Sequence, residues 1–334
     1  MRFRPKTCPH PDCPTRSGSH FSHRLHGRYR RQCDGRFVQR FVCRGCRRTF
    51  SVQSFRLDYR LQKPALLLQL FPLFASKITH RQSARILGCD RKTVAHRLGL
   101  LGDHTEAFHR RMLERKRRRG GLVGTFQLDE LETFEHSRRL APVTMPFLIA
   151  RRSYFILDLE TAPLPCRGGL SPAYRKKKVE RERQFGIRKS GSRAAVTEIF
   201  KRLALIHPPQ GPVKVQTDRK TDYAAILRRQ FGPRLSHERI DSRRRRDYQN
   251  PLFPINHTLA MARDAISRLV RRTWAASKLR ERLRLHAWIW AAWRNYVRPI
   301  TNEEPNVTAA MAAGVAKRRW SIPKICAWRV PAQA

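Results

Sequence analysis

Apolar and polar positions change rhythm several times along this chain of 334 residues. FVQRFV, residues 37–42, reads as a strand leading into a cysteine knuckle. From residue 61 the period is helical: LQKPALLLQLFPLFASK is apolar on most faces, as a short buried helix would be. THRQSARILGCDRKTVAHRLGLLG then predicts two helices. Thr79 caps the first, with Ala84, Ile86 and Leu87 facing inward; Gly88 and Cys89 make the turn; Asp90 caps the second, with Val94, Leu98 and Leu101 inward. TEAFHRRMLERKRRRG, residues 105–120, continues as a basic helical linker.

After Gly120 and Gly121 the pattern turns to strands. LVGTFQLDELETF carries an apolar run to Asp129, PFLIARRSYFILDLE reads as two antiparallel strands meeting near residues 151–153, and PVKVQTDRK ends another apolar run at Asp218. Residues 193–206, RAAVTEIFKRLALI, form a helix offering Val196, Ile199, Phe200, Leu203 and Leu205 to a core. Residues 160–192 combine turn formers with two basic clusters and read as a loop. Trp288, Trp290 and Trp293 fall on a late helix, better suited to a core or subunit interface than to base stacking.

Charge changes the picture most. Lys and Arg number 71 against 25 Asp and Glu, a formal net charge of +46. That excludes an ordinary metabolic enzyme: one-signed charge at this density repels itself, and nucleic acid is the commonest polyanion to meet so basic a surface. A merely supercharged surface is the plainer alternative. At 40% hydrophobic residues the chain folds rather than forming a basic tail. PALLLQLFPLFA, residues 64–75, is too short to cross a bilayer, and the N-terminus lacks a signal-peptide core, so the expectation is a cytoplasmic protein with no membrane partner.

Five of the eight cysteines lie in the first 46 residues. CPHPDC holds Cys8 and Cys13, CRGC holds Cys43 and Cys46, and 29 residues separate the pairs, which suits a tetrahedral zinc ribbon with these four as ligands. A disulfide framework is the alternative, although nothing else points to an oxidising compartment. Cys33, His10, His20, His23 and His26 are substitute ligands; Cys89, Cys166 and Cys326 lack a partner spacing. In the second predicted helix Arg91, Lys92, Thr93, His96 and Arg97 face outward, the chemistry of a recognition helix in a major groove, against an ordinary helical hairpin. Two strands ending in Asp, in a chain poor in acids, suggest a metal site at a sheet edge.

The order of zinc ribbon, helix-turn-helix, QLDELETF, VQTD and a long basic helix resembles transposases of the insertion-sequence-one family and its relatives, from residue 8 to about 298. The most specific pieces are CRGCRRTFS, QLDE before an aromatic, and PINHTLAMARDAISRLVRRTWAASK. The resemblance implies DDE-type enzymes with an RNase H-like domain and catalytic Mg2+ or Mn2+. It carries Asp129 and Asp218 over as the first two ligands. Counting back without gaps from Arg271, Arg272 and Thr273 puts Asn256 where the family has its catalytic glutamate, and Arg263 on the basic residue seven positions later. An Asn oxygen coordinates a hard cation without charge and without acting as a base; Asp264 and Glu130 are alternative carboxylates.

The expectation is a multidomain chain: a zinc ribbon (1–55), a helix-turn-helix (56–105), a basic linker (106–121), an α/β RNase H-like mixed-sheet catalytic domain (122–300) with a basic insertion at about 160–192 and a helical C-terminal part, and a tail (301–334). The resemblance implies a transposase that binds element ends and target DNA as a homodimer or larger synaptic assembly on the nucleoid of a prokaryote. A catalytically inactive, transposase-derived DNA-binding or regulatory protein is the alternative, and an RNA-binding protein a third.

Overall fold

The computed structural model describes residues 3–16, 20–245, 247–270 and 275–329. It divides into two compact units, one comprising the residues up to Phe71 with those from Ile322, the other Pro72–Ser321.

In the first unit β1 (His23–Arg30), β2 (Phe37–Cys43) and β3 (Thr49–Ser51) form an antiparallel sheet in that order. Its core is small: Phe41 and Phe50 pack with Cys8, Cys13 and Cys43, and Phe21 and Phe55 close over them. Away from this core Arg31 pairs with Asp58 at 2.9 Å. Helix α1 (Ala65–Phe74) runs across the division at Phe71 and buries Leu66, Leu67, Leu70, Phe71 and Phe74.

The second unit opens with α2 (His80–Ile86) and α3 (Arg91–Arg117). The predicted caps form: Thr79 and Gln82 exchange hydrogen bonds in a capping box, and the Asp90 carboxylate accepts from the Lys92 amide at 2.6 Å. Three local expectations need correction. Ile86 is exposed and Ser83 takes the inward position. Arg97 is buried rather than outward. The expected linker is the second half of α3, with Phe108, His109, Met112 and Leu113 buried. The last two follow from α8 (Arg280–Ala292), which packs along α3 and widens its buried face. Gly102 permits this approach; a Cβ there would sit 2.5 Å from the Leu285 Cβ and 2.8 Å from its carbonyl oxygen.

A mixed sheet follows: β4 (Thr125–Phe134), β5 (Pro142–Ala150), β6 (Phe155–Leu159), the short β7 (Ala162–Pro163), β8 (Val213–Asp218) and β9 (Leu235–Ile240). Its order is β6-β5-β4-β8-β9, with β7 beside β5. The first three strands form an antiparallel meander, and β8 and β9 run parallel to β4. The helices reaching the parallel strands are α5 (Ser192–Ile206) and α6 (Thr221–Phe231). They cover the sheet face bearing the even positions of β4: Phe126 meets His207 at the end of α5, and Glu130 meets Ser192 and Tyr223. The odd positions face α7 (Phe253–Ala265) and α8, where Leu131, Val143, Phe147, Ile255, Leu259, Trp288 and Trp290 share one core.

The expected loop at 160–192 contains α4 (Pro172–Phe185), a helix with no buried residue. The expected long basic helix ends at Ala265, because Ile266 is extended. Among the described residues no helix is long and apolar enough to cross a membrane.

Candidate functional site

Two constellations stand out, one in each unit. In the first, the turns around Cys8–Cys13 and Cys43–Cys46 bring four thiols together: Cys8 Sγ lies 3.7 Å from Cys46 Sγ, Cys13 Sγ 3.6 Å from Cys43 Sγ, and all four sulfurs lie within 4.8 Å of one another. All are free thiols, three buried and Cys46 half-buried. Sulfurs at about 2.3 Å from a central Zn2+ form a tetrahedron with edges of about 3.8 Å, close to the spacing here. Gly45 allows the knuckles to meet, since a Cβ there would collide with the Thr15 hydroxyl. Burial pushes the Cys8 and Cys46 thiols up; at Cys13 burial acts the same way, but hydrogen bonds from Thr15 prevail and bring it down to about 7. A divalent cation supplies the charge compensation such thiolates need. Cys33 and the nearby histidines stand outside the cluster; His10 Nε2 lies 3.3 Å from the Thr49 carbonyl, and His23 stacks on Phe21 and meets Phe41 edge-on.

The second constellation is set by strand register. The β4–β8 ladder pairs Thr125 with Lys214, Phe126 with Val215 and Gln127 with Gln216, and ends there. Gln127 Nε2 donates to Gln216 Oε1 at 2.7 Å, so these side chains share a face. Two residues further on each strand stand Asp129 and Asp218, which the period of two puts on the same face and at the same level. Gln127 also docks α7: its Oε1 accepts from the Ile255 amide at 3.1 Å and its Nε2 donates to the Pro251 carbonyl at 2.6 Å. Asn256 follows Ile255 and is half-buried on the first turn of α7.

Two half-buried carboxylates at one register level, Asp129 midway along β4 and Asp218 at the end of β8, are hard oxygen donors of the kind Mg2+ and Mn2+ take. The alternative carboxylates do not join them. Glu130 is turned to the opposite face, and Asp264 is exposed at the far end of α7, 3.2 Å from Lys77. Among the described residues the four cysteines are the only group of three or more Cys, His, Asp or Glu within reach of one ion. Arg263 donates to the Glu132 carbonyl at 3.1 Å, three residues beyond Asp129 on β4. Arg271, Arg272 and Thr273, from which the ungapped count ran, lie outside the described residues.

Glu130 is the residue whose place the sequence concealed. It accepts from Thr144 at 2.6 Å, Ser192 at 2.8 Å, Tyr223 at 2.7 Å and the Lys220 ammonium. Burial works to raise its carboxyl, yet the bonds from Lys220, Thr144 and Tyr223 prevail and hold it below the usual range. Burial and the Glu130 carboxylate together push the Tyr223 phenol far up, with Asp218 and Asp129 adding to the effect. The signal was present in the alternation of β4: once Asp129 is assigned to one face, Glu130 belongs to the other.

On α3, Arg91, Lys92 and His96 are exposed and Thr93 half-buried. Arg97 is buried, and its Nη1 lies 2.9 Å from His96 Nδ1. No protein-family model, no curated protein and no solved structure matches this chain.

Proposed function

We propose that this chain is a DNA transposase of the DDE type, whose second unit is an RNase H-like catalytic domain and whose four-cysteine cluster is a structural zinc site. One observation carries the reading: Asp129 and Asp218 stand level on adjacent parallel strands, beside the helix start that bears Asn256. The strand order supports it, since an antiparallel meander whose first strand is continued by two parallel ones brings β4 and β8 together at the centre. The net charge of +46 supports a polyanionic substrate.

Asp129, Asp218 and Asn256 would hold Mg2+ or Mn2+, which when bound activates a water or a 3′-hydroxyl and stabilises the leaving oxygen of a phosphodiester. Asp129 and Asp218 supply the negative charge, and Gln127 holds α7 against their strands. Arg91, Lys92 and His96, exposed at the start of α3, would contact DNA, and joining two element ends calls for at least a dimer. The purified protein, given Mg2+ or Mn2+ and DNA from the inverted repeats flanking its gene, should nick and join strands; Asp129→Ala and Asp218→Ala should each abolish both while end binding persists. Cleavage that survives Asp129→Ala in a nuclease-free preparation overturns this reading.

A regulatory DNA-binding protein derived from such an enzyme is the second reading. It is favoured by the engagement of Glu130 and Asp264 elsewhere, since among the described residues no third Asp or Glu groups with the two aspartates around one ion.

A further inference from the structure

We infer that the Glu130–Lys220 ion pair is a positioning clamp that aims both aspartates, an inference that rests on the metal-site reading of Asp129 and Asp218. The two residues of the clamp are joined to the aspartates through their own backbones. The Glu130 amide donates to Asp129 Oδ1 at 2.7 Å, and the Lys220 amide donates to Asp218 Oδ1 at 3.1 Å. Their side chains then meet each other, Lys220 Nζ donating to Glu130 Oε1. The result is a closed circuit from one aspartate to the other through two backbone amides and one ion pair.

The circuit lies where β4 and β8 stop pairing with each other, although each stays paired to its other neighbour. The β4–β8 ladder ends at Gln127 and Gln216, two residues short of the aspartates. Beyond that point two neighbouring carboxylates repel each other and, without a tie, favour splaying of the strands. Glu130 provides the tie, receiving Lys220 from the turn after β8 and Tyr223 from α6. Thr144 on β5 and Ser192 at the start of α5 fix the carboxylate from the other side. Ser192 also accepts from Lys220 Nζ at 2.8 Å, so the ammonium is held by two groups. Glu130 is 8% exposed and faces away from Asp129, which makes it unfit as a metal ligand and suited to a fixed strut. A partner that orients metal ligands without touching the ion typically governs affinity by about 10- to 100-fold.

The test uses Mn2+ as the probe on the full-length protein, with binding followed by electron paramagnetic resonance and folding by circular dichroism melts. Wild type should bind Mn2+ and Asp218→Ala should not. Glu130→Gln should weaken binding by about tenfold or more and broaden the Mn2+ signal. Lys220→Met should do the same, and Lys220→Arg, which keeps the cation, should restore most of the affinity. If Glu130→Gln fails to fold, the comparison of Lys220→Met with Lys220→Arg decides alone, because Lys220 is partly exposed. Wild-type protein that binds no more Mn2+ than Asp218→Ala sinks the metal-site reading, and the clamp with it. Wild-type affinity retained in folded Glu130→Gln, or in Lys220→Met, overturns the clamp while leaving the metal site standing. Loss in Lys220→Met without recovery in Lys220→Arg also overturns it.

Discussion

Gln127 and Gln216 join side chains across β4 and β8 at 2.7 Å, one pleat before the two aspartates. Gln127 spends its remaining capacity on the backbone of the α7 start, and Gln216 donates to Glu238 on β9 at 2.6 Å. The pair therefore locks three strands and one helix in a common register. Gln127→Leu should cost about 1–3 kcal/mol in urea unfolding, because it leaves the buried Gln216 oxygen and the Ile255 amide without their partner. A mutant as stable as wild type would show that register is set elsewhere.

Two histidines make stability depend on acid. His109 Nε2 donates to the Leu157 carbonyl at 2.9 Å and Tyr296 donates to its Nδ1 at 3.0 Å, while His286 Nε2 donates to the Phe74 carbonyl at 2.8 Å. Burial lowers both to about 3. The unfolded chain takes up a proton on each near pH 6.5 and the folded chain does not, so stability is full above pH 6.5 and falls as the pH drops towards 3. Each site contributes a slope of about 1.4 kcal/mol per pH unit within that window. Denaturant titrations at pH 7, 6 and 5 should show it, and His286→Gln should lower the slope by about one proton. An unchanged slope in that mutant would mean that His286 is protonated in the folded protein.

Legibility followed burial. Thr79, Gln82 and Asp90 announced two helix starts because capping is local chemistry, and β4, β5 and β6 showed as apolar runs because both sheet faces are covered. The strand β1, HRLHGRYR, and the helix α4 left no trace, since the first is exposed along nearly its whole length and the second entirely. Nor were α6 and the largely polar β9 anticipated. Arg97 was misplaced because its burial depends on α8, which lies far along the chain. The four cysteines were readable from spacing. The level placement of Asp129 and Asp218 was not, because it depends on a ladder between strands distant in sequence.

For the four-cysteine cluster, purified protein should hold about one Zn2+ per chain, and Cys43→Ser should release it. Atomic absorption before and after chelation checks this. The small core of the first unit, built on Phe41, Phe50 and these cysteines, should melt at lower temperature once the metal is gone. Full zinc retention in Cys43→Ser would remove Cys43 from the site.

The start of α3 separates readers from braces. Arg91→Ala and Lys92→Ala should reduce the preference for element ends over random DNA by more than they weaken random binding, with folding unchanged because both side chains are exposed. Arg97→Ala should act through the fold, lowering stability by roughly 1–3 kcal/mol, since the change removes a buried side chain from the α3 packing. Gel-shift titrations on both DNAs at two salt concentrations distinguish these cases. Equal losses on end and random DNA for Arg91→Ala would make this helix a phosphate clamp.

Asn256 decides between enzyme and regulator. It lies on the first turn of α7, just after the Ile255 amide that Gln127 anchors, and outside the buried face of the helix, so a substitution here leaves that face undisturbed. Asn256→Ala removes a neutral oxygen and should weaken cleavage less than Asp129→Ala, which removes a negative one. Asn256→Glu adds the missing acid. A carboxylate in the first turn of a helix is favoured by about 0.3–1 kcal/mol, which offsets part of its repulsion from the two aspartates when no metal is bound. If position 256 belongs to the metal cage, Asn256→Glu should bind Mn2+ at lower concentration and keep or gain strand cleavage. Wild-type protein that cuts no cognate DNA, together with recovery of cutting in Asn256→Glu, would establish the regulatory reading. Identical Mn2+ binding in both proteins would place Asn256 outside the cage, and the two aspartates would then hold the metal with help from solvent and the DNA phosphate alone.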